Sequence, residues 1–395
     1  MIVPAFNSNL HPAESLAEIR EGVVPLASAV RERLGWRQIG LDLRLGSRAM
    51  ADCAADPAAA HRLRDAFDAA GVVVVSINAF PLRAFQAPVV KDGAYRPDWT
   101  EAERLRDSIA CIEPAAVLCP EGPVTISTVP GSYKPWGAAA NDPARIAAGF
   151  GRWVAAAARH RQATGRQVVL CPEPEPWCSL EQSHEVASFW SGPLMRAGVA
   201  AAAADLDGDE AAARTALREH LGLCVDTCHT SLAFEDQSAA VQRCADAGAQ
   251  AWKCQFSAAP LLRESHRDTA GLQALRELAE PRFLHQTAAR TAAGSLAKVP
   301  DLDALDRLLA RLPDAVEVRS HFHVPVFWPE QEQGLSTTIA ESVQGLRACL
   351  SAGCTHVAVE TYTWSVLAAD ERDVIAGTAR ELDLLQRLLT ETARI

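Results

Sequence analysis

Four stretches of this sequence end an apolar run in groups that bind cations or move protons. They are VVLCPEPEPW with Glu173 and Glu175, LCVDTCH with Asp226 and His229, SHFHVP with His321 and His323, and VAVETYTW with Glu360. Side chains alternate along an extended segment, so Glu173 and Glu175 share one side at a separation of about 7 Å, and His321 and His323 share a face in the same way. Glu360 closes a very apolar run, where a lone carboxylate is costly to desolvate unless a cation or donors meet it. Each piece alone has an ordinary reading: a proline-ended loop with solvated glutamates, a hydrogen-bonded core histidine, an aspartate at a strand end. Brought to one place, these acids and imidazoles form a mixed oxygen and nitrogen donor set. It suits Zn²⁺, Mn²⁺, Fe²⁺ or Co²⁺, and not a thiolate-preferring site.

Such an ion would polarise a carbonyl and favour proton transfer next to it. Glu173 or Glu360 could serve as both ligand and base, and Glu175 is the candidate free acid or base. Asn9 and His11 end the first apolar run, Lys134 lies in the loop GSYKPW and His285 in RFLHQT. They are candidates for substrate contact. Metal-assisted phosphoester hydrolysis with two or three ions is an alternative, and a non-catalytic barrel that binds or hands on a metabolite is a third reading.

These groups must be positioned by a repeating frame. Short β-rich runs alternate with Ala/Leu/Arg-rich segments of helical period along nearly the whole chain, the pattern of a parallel sheet built from βα units. Strands are expected near 2–9, 38–45, 72–79, 115–128, 167–175, 221–228, 250–257, 316–324 and 355–362. Asp56-Pro57 and Asp142-Pro143 read as helix starts, Gly71 and Gly165 as stops, and Thr100 with Glu103 as a capping box. With no composition break, no Gly-rich nucleotide loop and no long linker, a single (β/α)₈ barrel over 1–395 is expected. Nine strand candidates exceed eight places. The run 316–324 is therefore assigned to an insertion, 258–354, between the seventh and eighth barrel strands. In such a barrel the reacting groups sit at the carboxyl ends of the strands, where the residues above fall.

The 395 residues carry 38 basic and 49 acidic side chains, a net charge of −11, and no basic stripe, which disfavours nucleic acid as a partner. No run approaches the length of a membrane span, so no membrane insertion is expected. The N-terminal stretch has neither a basic region nor a long apolar one, and the eleven cysteines are an odd number without a C-x-x-C pair. Both features lead to the expectation of a cytoplasmic protein with buried thiols.

The order of Glu173, Asp226-Thr227-Cys228-His229 and Glu360 resembles the xylose isomerase-like TIM-barrel superfamily of sugar isomerases, ketose 3-epimerases and family 2 AP endonucleases. Leu170-Cys171-Pro172-Glu173 is similar to the strand-five metal glutamate of the epimerases. The longer motifs NSNLHPAESL, NAFPLRAF, YRPDW, CPEGPVTISTVPGSYKPW, EPEPWCSLE, CVDTCHTSLAFED, RFLHQT, SHFHVPVF and VETYTW together resemble the EboE type, the metabolite traffic proteins of bacterial ebo clusters. The resemblance implies a divalent metal held by Glu173, Asp226 and Glu360 with further histidines, in an isomerase or epimerase that acts through an enediolate on a polyol, sugar or cyclitol. It also implies proteins of the same ebo-type cluster as partners. Where the superfamily usually has a histidine at the end of strand seven, this chain has Gln255. Gln255, or His321 and His323 from the insertion, is then expected to fill that place. His229 corresponds to a zinc ligand in the endonucleases and to a substrate contact in the epimerases, which leaves both roles open.

Overall fold

The computed structural model describes residues 2–83, 85–265, 267–328, 334–367 and 372–393. Seven strands come first along the chain: β1 (Ala5–Asn7), β2 (Ile39–Arg44), β3 (Val72–Asn78), β4 (Val124–Thr128), β5 (Val168–Pro172), β6 (Leu223–Asp226) and β7 (Ala251–Phe256). There follow β8 (Pro260–Arg263), β9 (Thr287–Thr291), β10 (Leu296–Val299), β11 (Ala315–Ser320) and β12 (Leu335–Thr337), and last β13 (His356–Val359). One eight-stranded sheet has the order β5-β4-β3-β2-β1-β13-β7-β6, all parallel. Its ends meet through a parallel bridge between Leu170 and Leu221 and the bond from Gly222 N to Leu170 O at 2.9 Å, so the sheet closes into a barrel. These strands are Val/Ile/Leu-rich and buried on both faces, as parallel strands covered by helices must be.

The outer helices start and stop where local chemistry directs. Asp142 accepts from the N–H of Ala144 and Pro143 opens the long helix Pro143–Thr164, which ends at Gly165 in the left-handed region at φ 77°. That helix buries Ile146, Phe150, Trp153 and Val154 against the barrel. A Cβ on Gly151 would lie 2.1 Å from Gly198 O, so this glycine lets the neighbouring helical segment approach to backbone contact.

Two expected elements fall elsewhere. The run expected as strand 115–128 begins as the helix Ile112–Leu118, with Pro114 inside the first turn where its missing N–H costs nothing, and only Val124–Thr128 joins the sheet. Thr100 is not a cap: it gives its hydroxyl and N–H to Asp98, and the helix starts at Ala102.

Between β7 and β13 lies a five-stranded antiparallel sheet of order β10-β9-β11-β8-β12. The expected extra strand at 316–324 is its central member β11. This sheet packs its own apolar cluster, including Leu262, Leu275, Leu305, Val318 and Phe322. The helix Ile339–Ser351 then returns to the barrel, packing on β7 and on the helix Gln237–Asp246. Among the described residues no helix is long and apolar enough to cross a membrane. All eleven cysteines are free and buried.

Candidate functional site

The carboxyl ends of β5, β6 and β13 and the outgoing end of β11 meet over the barrel mouth. β5 stops in Pro172, Pro174 and Pro176, which cannot donate to a ladder; the N–H of Glu173 still reaches Thr128 O at 3.0 Å and holds this glutamate at the rim. Asp226 ends β6 and caps the short helix Thr227–Leu232. Its Oδ1 accepts from the N–H groups of Cys228 (2.8 Å) and His229 (3.1 Å) and from the Ser257 hydroxyl (2.7 Å). The helical turn then folds His229 back over the strand end. β11 continues as an extended segment, with His321 N bonded to Gln286 O (2.8 Å) and Val324 N to Ala258 O (3.1 Å), so the inserted sheet carries His321 and His323 to the mouth.

The three imidazoles share a tautomer. His229 Nδ1 faces Pro174 O at 3.0 Å, His323 Nδ1 faces Glu360 O at 3.0 Å and His321 Nδ1 faces Gln286 Oε1 at 2.6 Å. Those oxygens only accept, so each Nδ1 carries the proton. Burial lowers all three imidazoles from their ordinary value, His321 well below it and His323 to about 4, so each ring is neutral. Each Nε2 therefore offers a bare lone pair. Yet the Nε2 of His321 lies 3.0 Å from that of His229 and 3.1 Å from that of His323.

The acids beside them are equally short of partners. Glu173 Oε2, Glu175 Oε2 and Asp226 Oδ2 are buried with no hydrogen-bond partner among the described residues. One oxygen from each of Glu173, Asp226 and Glu360 lies within 4.8 Å of the others, and the same limit joins Asp226, His229 and His323, and also Glu175, His229 and His321. Burial, with the charges of neighbouring carboxylates, pushes Glu173 and Glu360 well above the usual range. Against the cost of burial, the bonds that Oδ1 accepts from the Ser257 hydroxyl and the His229 N–H hold Asp226 below it. Converging bare lone pairs and orphaned carboxylate oxygens, all buried, repel one another unless a cation sits among them. The residues present therefore fit a divalent metal, with Glu173, Asp226, Glu360, His229, His321 and His323 as its donors and Nδ1 of each histidine fixed by an acceptor behind it.

Glu360 is held asymmetrically. Its Oε1 accepts from the side-chain amides of Asn9 (2.7 Å), Asn7 (2.8 Å) and Asn78 (3.5 Å), while Oε2 lies 3.5 Å from His323 Nδ1. Asn7 also donates to Asp42 at 3.0 Å. Beneath it, in the barrel interior, Lys253 Nζ is 2.7 Å from Asp42 and 2.9 Å from Ser127 Oγ, both ions fully buried. Glu175 is gripped on one side only: Tyr95 donates to its Oε1 at 2.9 Å, and Gln286 donates to Tyr95 at 2.7 Å. Burial raises Glu175 to about 8.

The other expected site residues divide. Asn9 lines the cavity, with its Oδ1 unpartnered among the described residues. Gln255 is buried in β7, but its Oε1 takes the Cys224 thiol at 3.1 Å and leaves only the amide nitrogen unpartnered. His11, Lys134 and His285 are not brought to the cluster. His11 packs over Gly22 and accepts from Ala13 N. Lys134 bonds Glu181 and Glu185, each at 2.7 Å. His285 stacks on Phe322 at 3.6 Å and uses both ring nitrogens, on His321 O and Glu280. Asn78, Tyr95 and Gln286 are additions. Asn78 ends β3 and follows the same strand-end rule; Tyr95 and Gln286 carry no local signal, since only tertiary contact joins them to Glu175 and His321.

The cluster opens on a small cavity of about 50 Å³, whose remaining wall is Phe80, Pro81, Phe85, Ala94 and Tyr362.

No protein-family model and no curated protein matches the sequence. Among solved structures, a candidate sugar phosphate isomerase/epimerase from Anabaena variabilis superposes with a TM-score of 0.52 at 11% identity, covering 99% of each chain. A xylose isomerase domain protein from Planctomyces limnophilus gives 0.48 at 12% identity, covering 100% of this chain and 98% of its own. A zinc-bound IolI protein gives 0.43 at 10% identity, covering 99% and 98%. The fold is a (β/α)₈ barrel with an antiparallel sheet inserted between its seventh and eighth strands.

Proposed function

We propose that the protein is a divalent-metal-dependent isomerase or epimerase of a small polyol, sugar or cyclitol. The observation that carries this reading is the meeting of three unprotonated Nε2 atoms with unpartnered carboxylate oxygens at the rim of a small cavity. When bound, the cation would draw electron density from a carbonyl and adjacent hydroxyl, which acidifies the C–H between them and favours an enediolate. The chain's own part is to orient and to move the proton. Asn7, Asn9 and Asn78 fix Glu360 through one oxygen and leave the other toward the cluster. Glu175, tied by Tyr95 at one oxygen, presents the other to the cavity as acid or base, with Glu173 or Glu360 as the alternative base.

The donor set is larger than one cation needs, and this favours a second reading, a multinuclear phosphoester hydrolase. A third is a metabolite-binding protein that keeps its ligands without turnover. The motif resemblance supports the EboE type and, with it, partners from an ebo-type cluster. The free buried thiols support a cytoplasmic setting, and the unbroken βα pattern supports one domain over 1–395.

The test is isotope exchange. Protein reconstituted with Mn²⁺, Co²⁺ or Zn²⁺ is incubated in D₂O with a panel of keto-polyols and cyclitols. Metal-dependent entry of deuterium at a C–H supports the reading. Cleavage of phosphoesters without exchange replaces it with the hydrolase, and binding without either replaces it with the carrier.

A further inference from the structure

The cavity has two unlike walls. One is the histidine and carboxylate cluster with Asn9; the other is Phe80, Pro81, Phe85, Ala94 and Tyr362. The second wall is a set of mutually packed aromatic rings. Phe85 packs on Phe283 at 4.6 Å between ring centroids and on Tyr362 at 5.0 Å, and Tyr362 lies 4.7 Å from the His323 ring. No lysine or arginine lines the cavity among the described residues. Of the basic side chains on neighbouring elements, Lys134 and Lys298 are engaged by Glu181, Arg319 by Glu317 and Glu341 and Lys253 by Asp42, while Arg282, beside Phe283, donates to Gln86 Oε1 at 2.7 Å and lies outside the cavity lining. Of the helical turns that start at the mouth, Ser8–Leu10 has the N–H of Asn9 taken by Asn7 Oδ1 and Thr227–Leu232 has its first N–H groups taken by Asp226. A phosphate group thus finds neither a side-chain cation nor a free backbone nest. Nor does the cluster have positive charge to spare, because Glu173, Asp226 and Glu360 together more than cancel one divalent cation.

We infer that the cavity takes an uncharged polyol and discriminates against its phosphorylated form. The hydroxylated edge faces the cluster and an apolar C–H surface faces the Phe80, Phe85 and Tyr362 wall. This rests on the metal-dependent reading above and narrows its substrate class. Aromatic faces hold C–H surfaces by dispersion and area burial, with no demand for charge. The apolar surface could be the C–H face of a sugar ring or a hydrocarbon substituent, and the ligands below separate the two.

The experiment uses the full chain loaded with Co²⁺, whose visible absorption reports the coordination sphere. It is titrated with D-fructose, D-fructose 6-phosphate and 6-O-hexyl-D-fructose. The expected result is a spectral change with D-fructose and at least tenfold weaker binding of the 6-phosphate. Equal binding of the hexyl ether identifies a ring face as the apolar surface; tighter binding identifies a hydrocarbon substituent. Phe85→Ala should weaken the neutral ligands at least fivefold with Co²⁺ uptake unchanged, and Phe85→Leu should recover part of that loss. Phe85→Leu also keeps the test open if the alanine variant does not fold. The inference is overturned if the 6-phosphate binds as tightly as D-fructose, or if a fully Co²⁺-loaded protein responds to none of the three. A protein that takes up no Co²⁺ fails one step earlier, at the metal reading itself.

Discussion

The Nε2 atoms of His229 and His321 lie 3.0 Å apart while the Nδ1 of each ring is committed to an oxygen acceptor, so two lone pairs face each other with no proton between them. A cation bound between them would relieve the repulsion. Chelator-stripped protein should therefore melt lower than protein with added Zn²⁺. Mass action gives about 2.7 kcal/mol of stabilisation at one hundred times Kd. His321→Ala and His323→Ala should abolish most of the shift. Thermal unfolding with and without EDTA checks this, and an equal response in these variants and the parent would contradict it.

Glu175→Gln keeps the bond from Tyr95 and removes the proton-transferring oxygen. The variant should retain its metal and lose solvent-deuterium exchange by roughly 10²–10⁴-fold, the usual span for a general acid or base. Elemental analysis beside the exchange assay separates loss of the proton carrier from loss of the ion. Exchange within twofold of the parent would remove Glu175 from that role.

Lys253 and Asp42 form an ion pair at 2.7 Å with both side chains fully buried. Lys253→Met strands the carboxylate inside the barrel and should cost about 3–5 kcal/mol. Asp42→Asn added to it should recover part of the loss. Urea unfolding of the single and double variants measures both, and additive losses would argue against coupling.

Much of this site is legible in the sequence because three of its acids end barrel strands, where an apolar run meets a polar residue. Glu173, Asp226 and Glu360 are found by that rule, and the spacing of His321 and His323 is that of an extended segment. Contacts made between elements are not legible. Nothing local joins Tyr95 to Glu175 or Gln286 to His321. His11 fails for the same reason: a short helical turn, Ser8–Leu10, follows β1 and swings the imidazole onto Gly22. The strands of the inserted sheet are three to six residues long, and segments such as TAART and LAKV carry too little apolar pattern to stand out. The run before β4 misleads in the opposite direction, since a short buried helix and a short buried strand look alike in composition.

Glu381 ties the C-terminal helix Val374–Thr392 to the site loops, accepting from Thr361 Oγ1 at 2.6 Å and Val326 N at 3.1 Å. Burial raises it from 4.5 to about 7. The folded state thus holds a proton that the unfolded chain releases near 4.5, so this group's contribution to stability is full below about pH 4.5 and falls as pH rises to 7. The loss is on the order of 3 kcal/mol. Glu381→Gln should flatten that part of the stability profile and be more stable than the parent at pH 8. Denaturant midpoints from pH 5 to 8 check it, and parallel profiles would contradict it.

The most direct measurement is the metal content of protein purified without chelator, compared among the parent, Asp226→Ala and Glu360→Ala, with folding verified by circular dichroism. A divalent ion at about one equivalent or more in the parent, and a marked fall in both folded variants, is the result predicted. Equal occupancy in all three would contradict a cation held by these carboxylates.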